Sequence, residues 1–114
     1  MKHPEQLGTH ILLNICGSDP ALLDSMDEFV TFSEGVLYDH GCHLINYQKH
    51  KFQPQGFTAI FMLAESHLSI HTWPEKGVAA CDIFTCGIVN TEAIAQELVR
   101  WFSPLEYSLR KVSR

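Results

Sequence analysis

Apolar and polar positions recur along the chain in two rhythms, and the changes of rhythm mark its elements. Residues 9 to 15 (THILLNI) are apolar and β-branched enough for a strand, and Gly17, Ser18, Asp19 and Pro20 then break it and offer a helix cap. From Ala21 the apolar positions Leu22, Leu23, Met26, Phe29, Val30, Val36 and Leu37 recur at three- and four-residue steps. That period predicts one helix with a buried face, stopped by Asp39-His40-Gly41, with Asp24, Asp27 and Glu28 on its opposite face. Extended stretches follow at Cys42 to His50, Phe57 to Ala64 and His67 to Trp73, separated by Gln53-Pro54-Gln55-Gly56 and by Glu65-Ser66, and Val78 to Cys86 makes a fourth. After Gly87, Asn90 and Thr91 cap a helix with the stripe Ile94, Leu98, Trp101 and Phe102, ended by Ser103-Pro104, and Leu105 to Val112 forms a last strand. The order β-α-β-β-β-β-α-β predicts an α+β two-layer sandwich, a mainly antiparallel sheet with two helices on one face, in a single domain spanning residues 1–114.

Period two sorts the segment from His67 to Trp73 into two faces: His67, Ser69, His71 and Trp73 on one, and Leu68, Ile70 and Thr72 on the other. One face is apolar and the other carries chemistry.

Composition narrows the function classes. With 114 residues, 46% of them hydrophobic and 18% charged, the chain is globular, but its own core is modest and spare apolar surface predicts a homodimer. The net charge is −5, and the basic residues are scattered apart from Arg110, Lys111 and Arg114, which argues against nucleic acid as a partner. No apolar run reaches the roughly 18 residues that cross a bilayer, and Met1 to Gln6 lacks the apolar core of a signal peptide, so a cytoplasmic protein without membrane contact is expected. In that compartment Cys16, Cys42, Cys81 and Cys86 read as reduced thiols.

Residues 65 to 86 gather Glu65, Ser66, His67, His71, Glu75, Asp82 and Cys86 among strand residues. Any one of these on a wet face is ordinary surface; the set is not. A zinc site of His67, His71 and a cysteine meets a geometric obstacle, because four residues of strand separate the histidines by roughly 13 Å while zinc–nitrogen bonds are about 2.0 Å. No metal is therefore expected. A hydrolase with Cys86 as nucleophile and His71 as base needs only proximity in space, and leaves Glu65-Ser66 unexplained.

The run Ala64-Glu65-Ser66-His67-Leu68-Ser69-Ile70-His71-Thr72-Trp73-Pro74-Glu75, continued by Asp82-Ile83-Phe84-Thr85-Cys86-Gly87, resembles the signature of the prokaryotic pyruvoyl-dependent S-adenosylmethionine decarboxylases. Leu7-Gly8-Thr9-His10 and His50-Lys51-Phe52-Gln53-Pro54-Gln55-Gly56 extend the resemblance over most of residues 7 to 87. It implies a proenzyme that cuts itself between Glu65 and Ser66, leaving a β chain of residues 1–65 and an α chain of residues 66–114. Ser66 would attack the preceding carbonyl, Thr58 would assist with its hydroxyl, His71 would take the Cα proton of residue 66, and elimination and hydrolysis would leave a pyruvoyl group as the cofactor. That group would form a Schiff base with the α-amine of S-adenosylmethionine and accept the electrons freed as carbon dioxide leaves, giving the aminopropyl donor of spermidine synthesis. By the same resemblance Cys86 would reprotonate the product, Phe52 would stack on the adenine, Glu75 would hold the ribose hydroxyls, and Leu7 and His10 are candidates for reaching across a dimer.

Three positions depart from the family pattern: Thr58 stands for a serine, Val78 for a common aromatic, and Cys81 for an aliphatic residue. Relatives that use ornithine or arginine keep the pyruvoyl machinery, so a basic amino acid is the alternative substrate, and an uncut homologue that only binds a partner is a third reading.

Overall fold

In the computed structural model, which describes residues 6–114, the eight elements read from the sequence appear in that order, with the first helix split in two. They are β1 (Thr9–Cys16), α1 (Pro20–Leu23), α2 (Met26–Asp39), β2 (Leu44–Lys51), β3 (Phe57–Leu63), β4 (Ser66–Trp73), a single 3-10 turn (Pro74–Lys76), β5 (Val78–Thr85), α3 (Thr91–Phe102) and β6 (Glu106–Ser113). The polar N-terminal stretch read against a signal peptide lies, up to residue 5, outside the described residues. No helix among those described is long and apolar enough to cross a membrane.

The predicted single helix from Ala21 is two helices, because the chain turns at Asp24-Ser25. Asp19 caps α1 by accepting from the Ala21 amide at 2.9 Å, and the Ser25 hydroxyl folds back to the Leu22 carbonyl at 2.6 Å. The spacing of Leu22, Leu23, Met26, Phe29 and Val30 is kept across the break, so the apolar stripe alone does not reveal it.

Six strands form one sheet in the order β2-β3-β4-β5-β1-β6, every neighbouring pair antiparallel. Alternation gives the sheet a buried face, with Ile11, Leu13, Ile15, Phe57, Ala59, Phe61, Leu68, Ile70 and Ile83 under α2 and α3. Phe29 of α2 sits at the centre of that layer, its ring 5.6 Å from Phe57 and 5.7 Å from Phe102. Among the described residues the other face carries no helix. Leu12, Ile60, Met62 and Trp73 are exposed there beside His10, His67, Ser69, His71 and Asp82.

Candidate active site

β4 crosses the middle of the sheet and carries chemistry at both ends. At its start the two-residue turn Ala64-Glu65 joins β3 to β4, with Leu63 facing Ser66 across the hairpin and Ser66 facing Thr85 of β5. Ser66 has φ of +149°, a conformation that side chains other than glycine rarely adopt and that persists only where the surroundings impose it. The surroundings are visible. The amide of Cys86 donates to the Glu65 carbonyl at 3.0 Å, and the Glu65 carboxylate accepts from the backbone amide of His43 at 2.9 Å and lies 2.7 Å from His43 Nδ1. The imidazole and amide of His43 hold the Glu65 carboxyl below the ordinary carboxylate range.

The Glu65-Ser66 peptide is thus fixed from both sides, with an N–H aimed at its carbonyl oxygen. Such a donor stabilises the charge that grows on that oxygen when a nucleophile attacks the carbonyl carbon. Gly8 belongs to the same packing: a Cβ there would collide with the Thr85 carbonyl and come within 3.1 Å of Cys86 Cα.

At the far end of β4, Phe52, Thr58, His71 and Glu75 line one cleft of about 370 Å³ together with Gln53, Pro54, Gln55, Thr72 and Trp73. The volume lies in the range of small-molecule sites. Thr58 on β3 faces His71 on β4, and its hydroxyl lies 2.9 Å from His71 Nδ1. The threonine that replaces a serine therefore keeps the hydroxyl where the imidazole can use it. Phe52 is half exposed with its ring edge-on to His50 at 4.7 Å, and Glu75 is the middle residue of the 3-10 turn.

These two groups do not meet within one chain. Five residues of strand put Ser66 and His71 roughly 16 Å apart, far beyond proton-transfer reach. For the same reason Cys86, which follows β5 on the Ser66 side, and His71, which pairs with Ala80 nearer the opposite end, form no nucleophile–base couple in one chain.

Between the two ends, three strands meet in a polar cluster. The Nε2 atoms of His10 and His67 lie 2.8 and 2.7 Å from Asp82 Oδ2, and the Ser69 hydroxyl donates to Oδ1. The donor atoms of His10, His67 and Asp82 all fall within 4.8 Å of one another, but ligands around a tetrahedral zinc stand about 3.3 Å apart and these contacts have hydrogen-bond length. Burial pushes the Asp82 carboxyl up, and the bonds from Ser69, His67 and His10 outweigh it, leaving it below its ordinary value. His10, expected to reach across a dimer, is engaged in its own chain, while Leu7 is exposed.

The cysteines Cys16, Cys42, Cys81 and Cys86 are all free. Burial pushes the Cys42 thiol up to about 11 and raises Cys81 further; Cys81 packs in the core as the aliphatic residue it replaces would. Val78 stands opposite Trp73 at the rim of the cleft end, half-buried. The sequence reading missed His43 and Asp24. No local signal marks His43, whose partner lies 22 residues away; the Asp24-Ser25 pair, a helix stop followed by a cap residue, was available as a signal.

The family model described as S-adenosylmethionine decarboxylase matches residues 9–114. A relative named S-adenosylmethionine decarboxylase proenzyme, from Methanococcus aeolicus, is 40% identical over 115 residues, covering 100% of this chain and 96% of its own. A protein of the same name from Pelotomaculum thermopropionicum is 38% identical, covering 100% and 89%. The crystal structure of the adenosylmethionine decarboxylase from Aquifex aeolicus VF5 superposes with a TM-score of 0.88 at 32% identity, over 97% of this chain and 92% of that one.

Proposed function

The chain belongs to the S-adenosylmethionine decarboxylase family and is a carboxy-lyase that decarboxylates S-adenosylmethionine for polyamine synthesis; we propose that it does so through a pyruvoyl group made by cutting its own backbone between Glu65 and Ser66. The observation that carries this reading is the Glu65-Ser66 peptide itself, strained at Ser66 and held at its carbonyl by the Cys86 amide at 3.0 Å. The residues present fit the group.

In the cut, Ser66 Oγ attacks the Glu65 carbonyl carbon, the Cys86 N–H takes up charge on the oxygen, and the C–N bond breaks as the C–O ester bond forms. The strain at Ser66 is released in that step. Loss of the residue 66 Cα proton to Nε2 of the partner subunit's His71 then expels the Glu65 carboxylate, and water replaces the nitrogen with release of ammonia. Thr58 orients His71 through Nδ1, which leaves Nε2 free for the proton.

Once formed, the pyruvoyl group would supply an electrophilic carbonyl for the substrate amine and a sink for the electrons freed with carbon dioxide. The chain's own part is then to bind and to move a proton. Phe52 offers a ring face to the adenine and the sulfonium cation, Glu75 accepts from the ribose hydroxyls, and the Cys86 thiol returns a proton to the former α-carbon. A carboxylate and an exposed ring in one cleft suit an adenosyl substrate better than a plain basic amino acid.

The 16 Å gap along β4 is closed by a homodimer. When two copies pack their open sheet faces with β4 reversed, the cleft of one protomer lies over Ser66 and Cys86 of its partner, and Leu12, Ile60 and Met62 lose their contact with water. A cytoplasmic location belongs to the same proposal and is supported by the free thiols.

The test is the denatured mass of purified protein after incubation with S-adenosylmethionine and cyanoborohydride. Two chains, divided after Glu65, with the adduct on the chain that begins at residue 66 are expected. A single uncut chain, or a cut protein that captures nothing here but is trapped by ornithine or arginine in a parallel incubation, overturns the reading.

A further inference from the structure

We propose that Asp24, a residue remote from the reacting atoms, is the positioning residue that holds the loop Phe52–Gly56 in its substrate-binding shape. The inference rests on the reading of the cleft as the substrate site.

That loop supplies Phe52, Gln53, Pro54 and Gln55 to the cleft, yet it contributes nothing to the buried core and its ring is half exposed. A five-residue surface loop of this kind is ordinarily mobile unless its backbone is tied down. Here its two ends are bound to each other, the Phe52 amide donating to the Gly56 carbonyl at 2.8 Å. Both roots are then bound to one atom. Asp24 Oδ1 accepts from the Gly56 amide at 2.8 Å and from Lys51 Nζ, so a single carboxylate ties the end of β2 to the start of β3. The third tie is steric: Gly56 has φ of +96°, and a Cβ there would stand 3.0 Å from the Thr72 carbonyl and 3.4 Å from the Pro74 ring.

Asp24 is itself held rigidly, which is what makes it an anchor. It ends a four-residue helix capped at its start by Asp19, its amide returns to Ala21 at 3.3 Å, and its neighbour Leu23 is fully buried. The Lys51 ammonium and the Gly56 amide hold the Asp24 carboxyl below its ordinary range. A ring presented in its bound position binds without the cost of ordering it, and the gain is the same in ground state and transition state.

The test is a double-mutant cycle on the processed enzyme with S-adenosylmethionine as substrate, using Asp24→Ala, Phe52→Ala and the pair. Asp24→Ala should raise KM about tenfold with kcat within about twofold, and should add almost nothing in the Phe52→Ala background, because it acts through that ring. Self-cutting should proceed to the same extent in all variants. Asp24→Asn, which keeps an acceptor for Gly56 but no charge for Lys51, serves where the alanine variant misfolds, and should fall between wild type and Asp24→Ala. Unchanged KM in both Asp24 variants, or an equal loss with and without the Phe52 ring, overturns the role of Asp24 alone. Unchanged KM in Phe52→Ala overturns the cleft reading and the inference with it.

Discussion

At the scale of single residues, two different parts of Cys86 serve the proposed chemistry. Its backbone N–H holds the Glu65 carbonyl, and its side chain is the proposed proton donor in turnover. The first survives substitution and the second does not. Cys86→Ala should therefore still cut into two chains at a rate within about tenfold of wild type, but lose correct turnover by about a hundredfold or more, the range of a removed general acid. Ser66→Ala should neither cut nor turn over. Gel analysis of cutting beside a carbon dioxide release assay separates the two, and an active Ser66→Ala protein would remove the basis of the mechanism. Ser66, His71 and Cys86 could be proposed from the sequence because their residue types and neighbours form a long motif. His43 was not, since its grip on Glu65 exists only once β2 and the β3–β4 turn are side by side. The same is true of the strain at Ser66: nothing in the residues announces a φ of +149°.

At the scale of elements, period two correctly placed His67, Ser69, His71 and Trp73 on the open face of β4, because a strand's side-chain parity is fixed by the pleat. The order of strands was not legible. β1 lies between β5 and β6, and alternation within a strand carries no record of that placement. This placement is what brings His10 of β1 to Asp82 of β5 and opposite His67 of β4, so one carboxylate joins three strands. The folded Asp82 carboxyl lies below its unfolded value, so its stabilisation is complete above the unfolded pKa of about 3.9 and is lost as pH falls through the folded one. Asp82→Asn keeps the shape and loses the charge. It should cost about 1–3 kcal/mol at pH 7, and urea unfolding should show its stability falling less than that of wild type as the pH is lowered from 5 to 3. Parallel pH curves for the two proteins would mean that the cluster is not ionically held.

At the scale of the whole molecule, the separation between the ends of β4 turns the location of the active site into a question about two chains. Each chain carries one half of the proposed chemistry at Ser66 and Cys86 and the other half at Thr58 and His71, and the exposed apolar residues on the open sheet face lie between them. Spare apolar surface in a 114-residue chain predicted a second copy, but only the register of β4 says what that copy has to bring. Mixing two defective chains tests it directly. A Ser66→Ala chain still has its cleft, and a His71→Ala chain still has its serine, so a mixed dimer that works across the interface contains one intact combination and one doubly broken one. Co-expression should yield cutting of the His71→Ala chain alone and activity near a quarter of wild type, since about half of randomly paired dimers are mixed and each holds one working site of two. If each site were built within a single chain, neither protein would carry a complete set, and the mixture would stay uncut and inactive.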